Sequence, residues 1–193
     1  MSEQTRERIL RAAVRLFQQR GYHGTGLSEI LAEADAPKGS LYHHFPQGKA
    51  QLGVAAIDAV AADYEALFAR RRARGVSAAN IVRGVAAAQA QWLKDTLWRE
   101  GGLFSVLAQG FLPDAPEVQR ALARVYLRRR ELLEGALRED GARDAAGVAM
   151  LAIAALDGGM IQAAALQDVK PLLTAAERAA RCMEAACGMA SSK

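Results

Sequence analysis

Apolar residues recur along this chain at spacings of three and four, and nowhere in the strict alternation of a strand. Between Thr5 and Arg20, Ile9, Ala13, Leu16 and Phe17 share one side, and Arg6, Arg8, Arg11, Arg15 and Arg20 occupy the rest. This predicts a first helix that stops at Gly21. Leu27, Ile30, Leu31 and Ala34 predict a short second helix from about Gly26 to Ala34, with Thr25 as its N-cap and Glu29 near its positive end. After a turn at Asp35-Ala36, Pro37 suits the first position of a third helix, and Leu41 and Phe45 give that helix an inner side. Pro46 ends it, because a residue before proline is pushed out of the helical region. The three inner sides together predict a small helical core.

The rest of the chain reads as helix as well. A long helix starts near Gln47–Lys49 and runs to Arg74, where Arg70-Arg71-Arg72 complement the dipole and Gly75 stops it. Ile81, Val85, Ala88 and Trp92 form the next stripe, and Gly101-Gly102 breaks the pattern. Leu103–Phe111 predicts a short apolar helix, and 112–116 a loop. Glu117–Glu139 is amphipathic, with Val118, Leu122, Val125, Leu132 and Leu133 inside. Gly141 ends it, and Asp144 caps a helix to about Gln167 that is apolar nearly all round. Thr174-Ala175-Ala176-Glu177 has the form of a capping box that would open the last helix. The expected fold class is all-α.

Composition narrows the function classes. The chain has 193 residues, 51% of them apolar, and a net charge of +4, which permits binding to nucleic acid without requiring it. The most apolar stretch, Val148–Leu166, is interrupted by Asp157 and Gln162, and the charged start carries no secretory signal, so a cytoplasmic protein with no membrane partner is expected. Cys182 and Cys187, five apart, point to different sides of a helix and are expected as two small buried thiols. No metal-ligand spacing, phosphate loop or catalytic constellation stands out, so neither a metal, a cofactor nor an enzyme is expected.

The informative stretch is Pro37-Lys38-Gly39-Ser40-Leu41-Tyr42-His43-His44-Phe45. Opposite Leu41 and Phe45 it offers hydroxyls, imidazole, an amine and one glycine, and no carboxylate, which suits a surface pressed onto a polyanion. Two short helices joined by a tight turn predict a helix-turn-helix whose second helix lies in the DNA major groove. The run from Thr25-Gly26-Leu27-Ser28-Glu29-Ile30 through Lys38–Phe45 to Lys49 resembles the amino-terminal domain of the tetracycline-repressor-like (TetR) family. The phrase from Ala36 to Pro46 is similar to the LmrA/YxaF-like branch of that family. Two departures stand out: Asp35 occupies the usual turn-glycine position, and one extra residue separates Phe45 from Lys49.

The resemblance implies a DNA-binding domain over 4–64, with its helix-turn-helix at 27–46, and an effector-binding and dimerisation domain over 65–193. It implies phosphate contacts from Thr25, Lys38, Tyr42 and Lys49, supported by Ser40 and His44, and base reading around Lys38, Gly39, Ser40 and His43. An effector pocket is expected among Trp92, Trp98, Phe104, Leu107, Gln109, Phe111, Met150, Asp157, Met160 and Gln162. Asp157 in an apolar helix needs a partner, within the fold or across a dimer ahead of a ligand. The expected protein is a repressor that binds an operator as a homodimer through its last two helices and leaves it on binding a small apolar or amphipathic ligand. The alternatives are an activator without ligand control, and a helical carrier or enzyme.

Overall fold

The computed structural model describes residues 2–110 and 112–188. Among these the chain forms nine α-helices and no strand: α1 Ser2–Arg20, α2 Leu27–Glu33, α3 Lys38–His44, α4 Lys49–Ala73, α5 Ala78–Asp95, α6 Leu103–Gln109, α7 Pro116–Glu139, α8 Ala145–Leu166 and α9 Lys170–Ala186. The chain divides into two compact units, Met1–Asp63 with Glu100–Val125, and Tyr64–Arg99 with Tyr126–Lys193. A boundary drawn at residue 64 alone therefore leaves out Glu100–Val125, which belongs with the first unit. The reason is burial: Leu103, Leu107, Leu112, Ala115 and Val118 share one core with Ile9, Phe17, Ile30, Leu41, Phe45 and Leu52.

The first unit is built largely as its periodicity dictates. Ile9, Ala13, Leu16 and Phe17 of α1 are buried, as are Ile30 and Leu31 of α2. Asp35 takes the left-handed conformation (φ 46°) that its place in the turn demands. The helix starts differ from expectation. Gly26, not Thr25, precedes α2 as its N-cap, and Glu29 Oε2 accepts from the Gly26 N–H at 2.9 Å. Pro37 is the N-cap of α3 rather than its first helical residue.

In the second unit, α5 is rotated from its predicted face. Ile81 and Val85 are buried, but Ala88 is exposed and Trp92 half-buried; Val82, Ala86, Ala90 and Leu93 complete the inner side. Asp144 does cap α8, accepting from the Gly147 N–H at 3.1 Å. Thr174 opens nothing: α9 begins four residues earlier at Lys170, with Pro171 in its first turn and Asp168 accepting from the Lys170 N–H. Gly159 lets α9 lie close against α8, for a Cβ there would meet Leu172 Cα at 2.9 Å. Cys182 is exposed and Cys187 half-buried, so only the second is partly withdrawn from solvent. By length and composition α8 is apolar enough to cross a membrane; its Ala149, Ala152, Leu156, Met160 and Ala163 are instead core residues.

Two ion clusters tie this unit together. Arg83 of α5 donates to Glu177 Oε2 (2.7 Å) and Glu184 Oε1 (2.5 Å) of α9, and Arg181 donates to Glu177 as well. Arg129 of α7, its side chain only 6% exposed, forks onto Asp157 of α8, 20% exposed, at 3.2–3.3 Å. Tyr64 and Tyr126 lay their rings 5.6 and 5.4 Å from the Arg129 guanidinium.

Removing one partner of a buried ion pair strands the other charge. Asp157→Ala is therefore expected to lower unfolding stability by about 3 kcal/mol in urea titration, and Arg129→Met/Asp157→Leu to restore most of that loss. Acid should loosen the α5–α9 clamp. The Arg83 and Arg181 guanidiniums hold the Glu177 carboxyl at a pKa of about 2. A depressed carboxylate contributes stability above its unfolded pKa of about 4.3 and loses it as pH falls towards the folded value. The urea midpoint is expected to drop between about pH 5 and 2, with a shallower drop in Arg83→Met.

Candidate nucleic-acid interface

The recognition helix α3 is seven residues long. Leu41 and Phe45, each 1% exposed, bury its inner side, and the turn 34–37 and Pro46 bound it. The outward surface carries Lys38, Gly39, His43 and Tyr42, the last 61% exposed, with Ser40 and His44 half-buried at its margins. A Cβ at Gly39 would meet nothing within 4 Å, so this point of the helix is open to close approach. The His43 and His44 rings meet edge to face at 4.8 Å. Beyond α3, the turn at Gly48 (φ 66°) passes beside the Tyr42 ring and leads into Lys49, the first residue of α4.

The electrostatics around this face follow one rule. No Asp or Glu occurs between Asp35 and Asp58. The acids nearest in sequence are each met by an arginine of α1: Asp35 by Arg8 at 3.8 Å, Glu33 by Arg15 at 2.6 Å, and Glu29 by Arg20. The Gly26 N–H, and after it Arg20, hold the Glu29 carboxyl below its ordinary pKa. Most of the arginines on α1 thus act as counter-ions, while Arg6 sets its guanidinium 5.6 Å over the Phe45 ring. Lys49 is half-buried, and its ammonium lies 4.5 Å over the Tyr22 ring.

Thr25 does not join this surface. Its side chain is buried in the first unit, and its hydroxyl points to the backbone carbonyls of Gly21 (2.8 Å) and Leu16 (3.2 Å). Its N–H donates to the Tyr22 carbonyl. The hydroxyl closes the loop between α1 and α2.

The residues expected around an effector come from both units. Phe104 and Leu107 belong to the first unit, and Leu107 is sealed in its core; Gln109 is exposed, with its amide turned back to the Ser105 carbonyl. Trp92 and Trp98 lie half-buried against the core of the second unit, Met160 is inside that core, and Gln162 is exposed. Phe111 lies outside the described residues. Met150 and Asp157 meet in a depression of about 320 Å³ formed by Tyr126, Leu127 and Arg130 of α7 with Met150, Ile153, Ala154 and Asp157 of α8. Sequence reasoning missed Arg129, yet a signal was present: it stands four from both Val125 and Leu133, on the apolar side of α7, as Asp157 stands within apolar α8.

Two short helices, a tight turn and an outward face free of carboxylates make the first unit a helix-turn-helix DNA reader. Comparison with known proteins agrees. The profile of the tetR family of bacterial regulatory proteins matches residues 9–56, and that of the LmrA/YxaF-like transcriptional regulator C-terminal domain matches 78–178. The transcriptional regulator LmrA of Bacillus subtilis (strain 168) is 61% identical over 54 residues, a match that spans 28% of this chain and 29% of LmrA. The regulator Rv0196 of Mycobacterium tuberculosis (strain H37Rv) is 31% identical over 175 residues, covering 86% of this chain and 88% of its own length. A TetR regulatory protein from Rhodobacter sphaeroides superposes with a TM-score of 0.80 at 26% identity, over 91% of this chain and 96% of that one. The chain belongs to the TetR family of DNA-binding transcriptional regulators, with an LmrA/YxaF-like C-terminal domain. Its family consists of regulators, and the carrier or enzyme reading falls away.

Losing the inward hydrogen bond of Thr25 without changing its shape should cost about 1 kcal/mol. Thr25→Val is therefore expected to unfold at lower urea concentration while binding DNA as tightly as the parent. A marked loss of affinity in fluorescence anisotropy would show that the hydroxyl reaches a phosphate after all.

Proposed function

We propose that this regulator is a homodimeric repressor in the bacterial cytoplasm, bound to a two-fold operator and released by a small apolar or amphipathic ligand. The observation that carries the DNA reading is the outward face of α3, polar, free of carboxylates and backed by buried Leu41 and Phe45. Lys38, Tyr42 and Lys49 take phosphates, with Ser40 and His44 in support. Phosphate contacts fix register, and base edges are read around Lys38, Gly39, Ser40 and His43.

The dimer reading rests on α8. Leu151, Ala154, Ile161 and Ala165 are exposed and Gly158 is half-buried, at spacings of three and four, and exposed Met150, Leu166 and Leu173 flank them. Soluble proteins rarely leave an apolar stripe of this length to water, and small residues let a second helix come close. Two copies joined through α8 and α9 would present two recognition helices to half-sites about 34–36 Å apart, or a multiple of that. The ligand reading is supported by the apolar depression that holds Met150 and Asp157, whose size is at the lower end of small-molecule sites. A ligand that favours another spacing of the recognition helices loses affinity for the DNA-bound state by the factor that DNA loses for the liganded one.

Footprinting on DNA flanking the protein's own gene, with and without a panel of hydrophobic compounds, tests this reading. The parent should protect a two-fold site. Tyr42→Ala should lose protection while keeping the parent's mass in sedimentation, and Ile161→Glu should sediment as a monomer and lose protection too. A Tyr42→Ala protein that protects the site unchanged would remove α3 from the interface.

A further inference from the structure

Lys49 begins α4 beside the turn that follows the recognition helix. A cation in the first turn of a helix opposes the helix dipole, and a lysine stem carries about 2 kcal/mol of rotamer entropy that a phosphate contact must overcome. The Tyr22 ring lies 4.5 Å beneath this ammonium. Among the described residues no carboxylate stands within salt-bridge distance of Lys49. Of the two acids with the largest influence on it, Glu29 is engaged by Arg20 and the Gly26 N–H, and Asp114 lies 3.8 Å from His23.

The ring itself is fixed from several sides. Tyr22 follows left-handed Gly21 in the α1–α2 loop and is nearly buried. It stacks on the fully buried Phe17 ring at 5.7 Å and 27°, and meets His23 edge-on at 5.5 Å. Gly53, one turn beyond Lys49 and on the same side of α4, brings that helix down onto it. A Cβ at Gly53 would fall 3.2 Å from Tyr22 Cε2 and 3.1 Å from Val118 Cγ2. The aromatic face is thus a rigid platform, and a cation over such a face gains about 0.5–2 kcal/mol depending on its exposure.

We propose that Tyr22 is a positioning residue for DNA binding: its ring face holds the Lys49 ammonium at the foot of α4, ordered in advance for a backbone phosphate on the flank of the recognition helix. This rests on the reading of Lys49 as a phosphate contact. Burial draws the Lys49 pKa down, while Asp114 and Glu29 push it up. The ring adds the stabilisation that a first-turn cation lacks. The contact is sequence-independent, so it tightens binding to any duplex without selecting among sequences.

The test is a double-mutant cycle on the full-length protein, read by anisotropy on a labelled random-sequence duplex about three helical turns long, across a salt series. Lys49→Met is expected to weaken binding and lower the salt slope by about one unit. Tyr22→Phe, which keeps the ring face, should bind as the parent does. Tyr22→Leu should lose about three- to tenfold in affinity at an unchanged salt slope, and should lose nothing further in the Lys49→Met background. Ring-fluorinated phenylalanine at position 22 keeps the shape but removes the negative face, and should repeat the Tyr22→Leu loss if that variant folds poorly. If Lys49→Met changes neither affinity nor slope, the phosphate role of Lys49 fails and the proposal with it. If Lys49→Met behaves as expected but the loss at Tyr22 is the same with and without Lys49, or fluorination has no effect, Lys49 is a phosphate ligand and Tyr22 only packs.

Discussion

Seven residues of helix cannot hold themselves together in water, because the first turn costs more order than its single hydrogen bond returns. The recognition helix exists because Leu41 and Phe45 are buried in a core to which α1, α2, α4, α6 and the start of α7 all contribute. Everything the outward face can do depends on those two side chains. They set which residues point to solvent, since in so short a helix the burial of one face decides the exposure of the other. They also fix the helix to neighbours that cannot move without opening the core.

The charges of the first unit complete what burial begins. A DNA reader needs a positive face, but its helices also need acids near their starts. Here the acids of α2 and of the turn are matched one by one with arginines from α1. The result is that, among the described residues, the acids behind the recognition helix are paired while Lys38 and His43 on its outward side form no salt bridge. Net charge is only +4, so it is this distribution that makes the face suitable for a phosphate backbone.

The second unit solves a different problem. Its helices are rich in alanine and glycine, which pack closely but bury little area per residue, and it adds specific ties. Arg83 joins α5 to α9, and Arg129 joins α7 to α8. The Arg129–Asp157 pair is the buried one, and there any packing that separated the two would strand a charge. On α8 the inner residues fill the core while Leu151 and Ile161 stay in solvent, so the helix is apolar on two sides for two different reasons.

Most of the helices, the turn at Asp35-Ala36, the cap at Asp144 and the inner and outer sides of α3 were all legible in the chain, because each depends on neighbours within a few residues: a period of 3.6, a proline, a glycine, a capping carboxylate. What the sequence left open were choices between local options of similar energy. Thr25 has the chemistry of a cap, and the Gly21 and Leu16 carbonyls turned it inward. Thr174 heads a motif that fits a helix start, yet Pro171 and Asp168 start α9 first. Ala88 lies on the predicted stripe of α5, and packing turns the inner side about a quarter turn away from it, towards Val82, Ala86 and Leu93. Pairings across long stretches of chain, Arg129 with Asp157, Arg83 with Glu177, and Lys49 over Tyr22, were decided only in three dimensions, because the distance between two side chains is a property of how helices pack and no spacing along the chain encodes it.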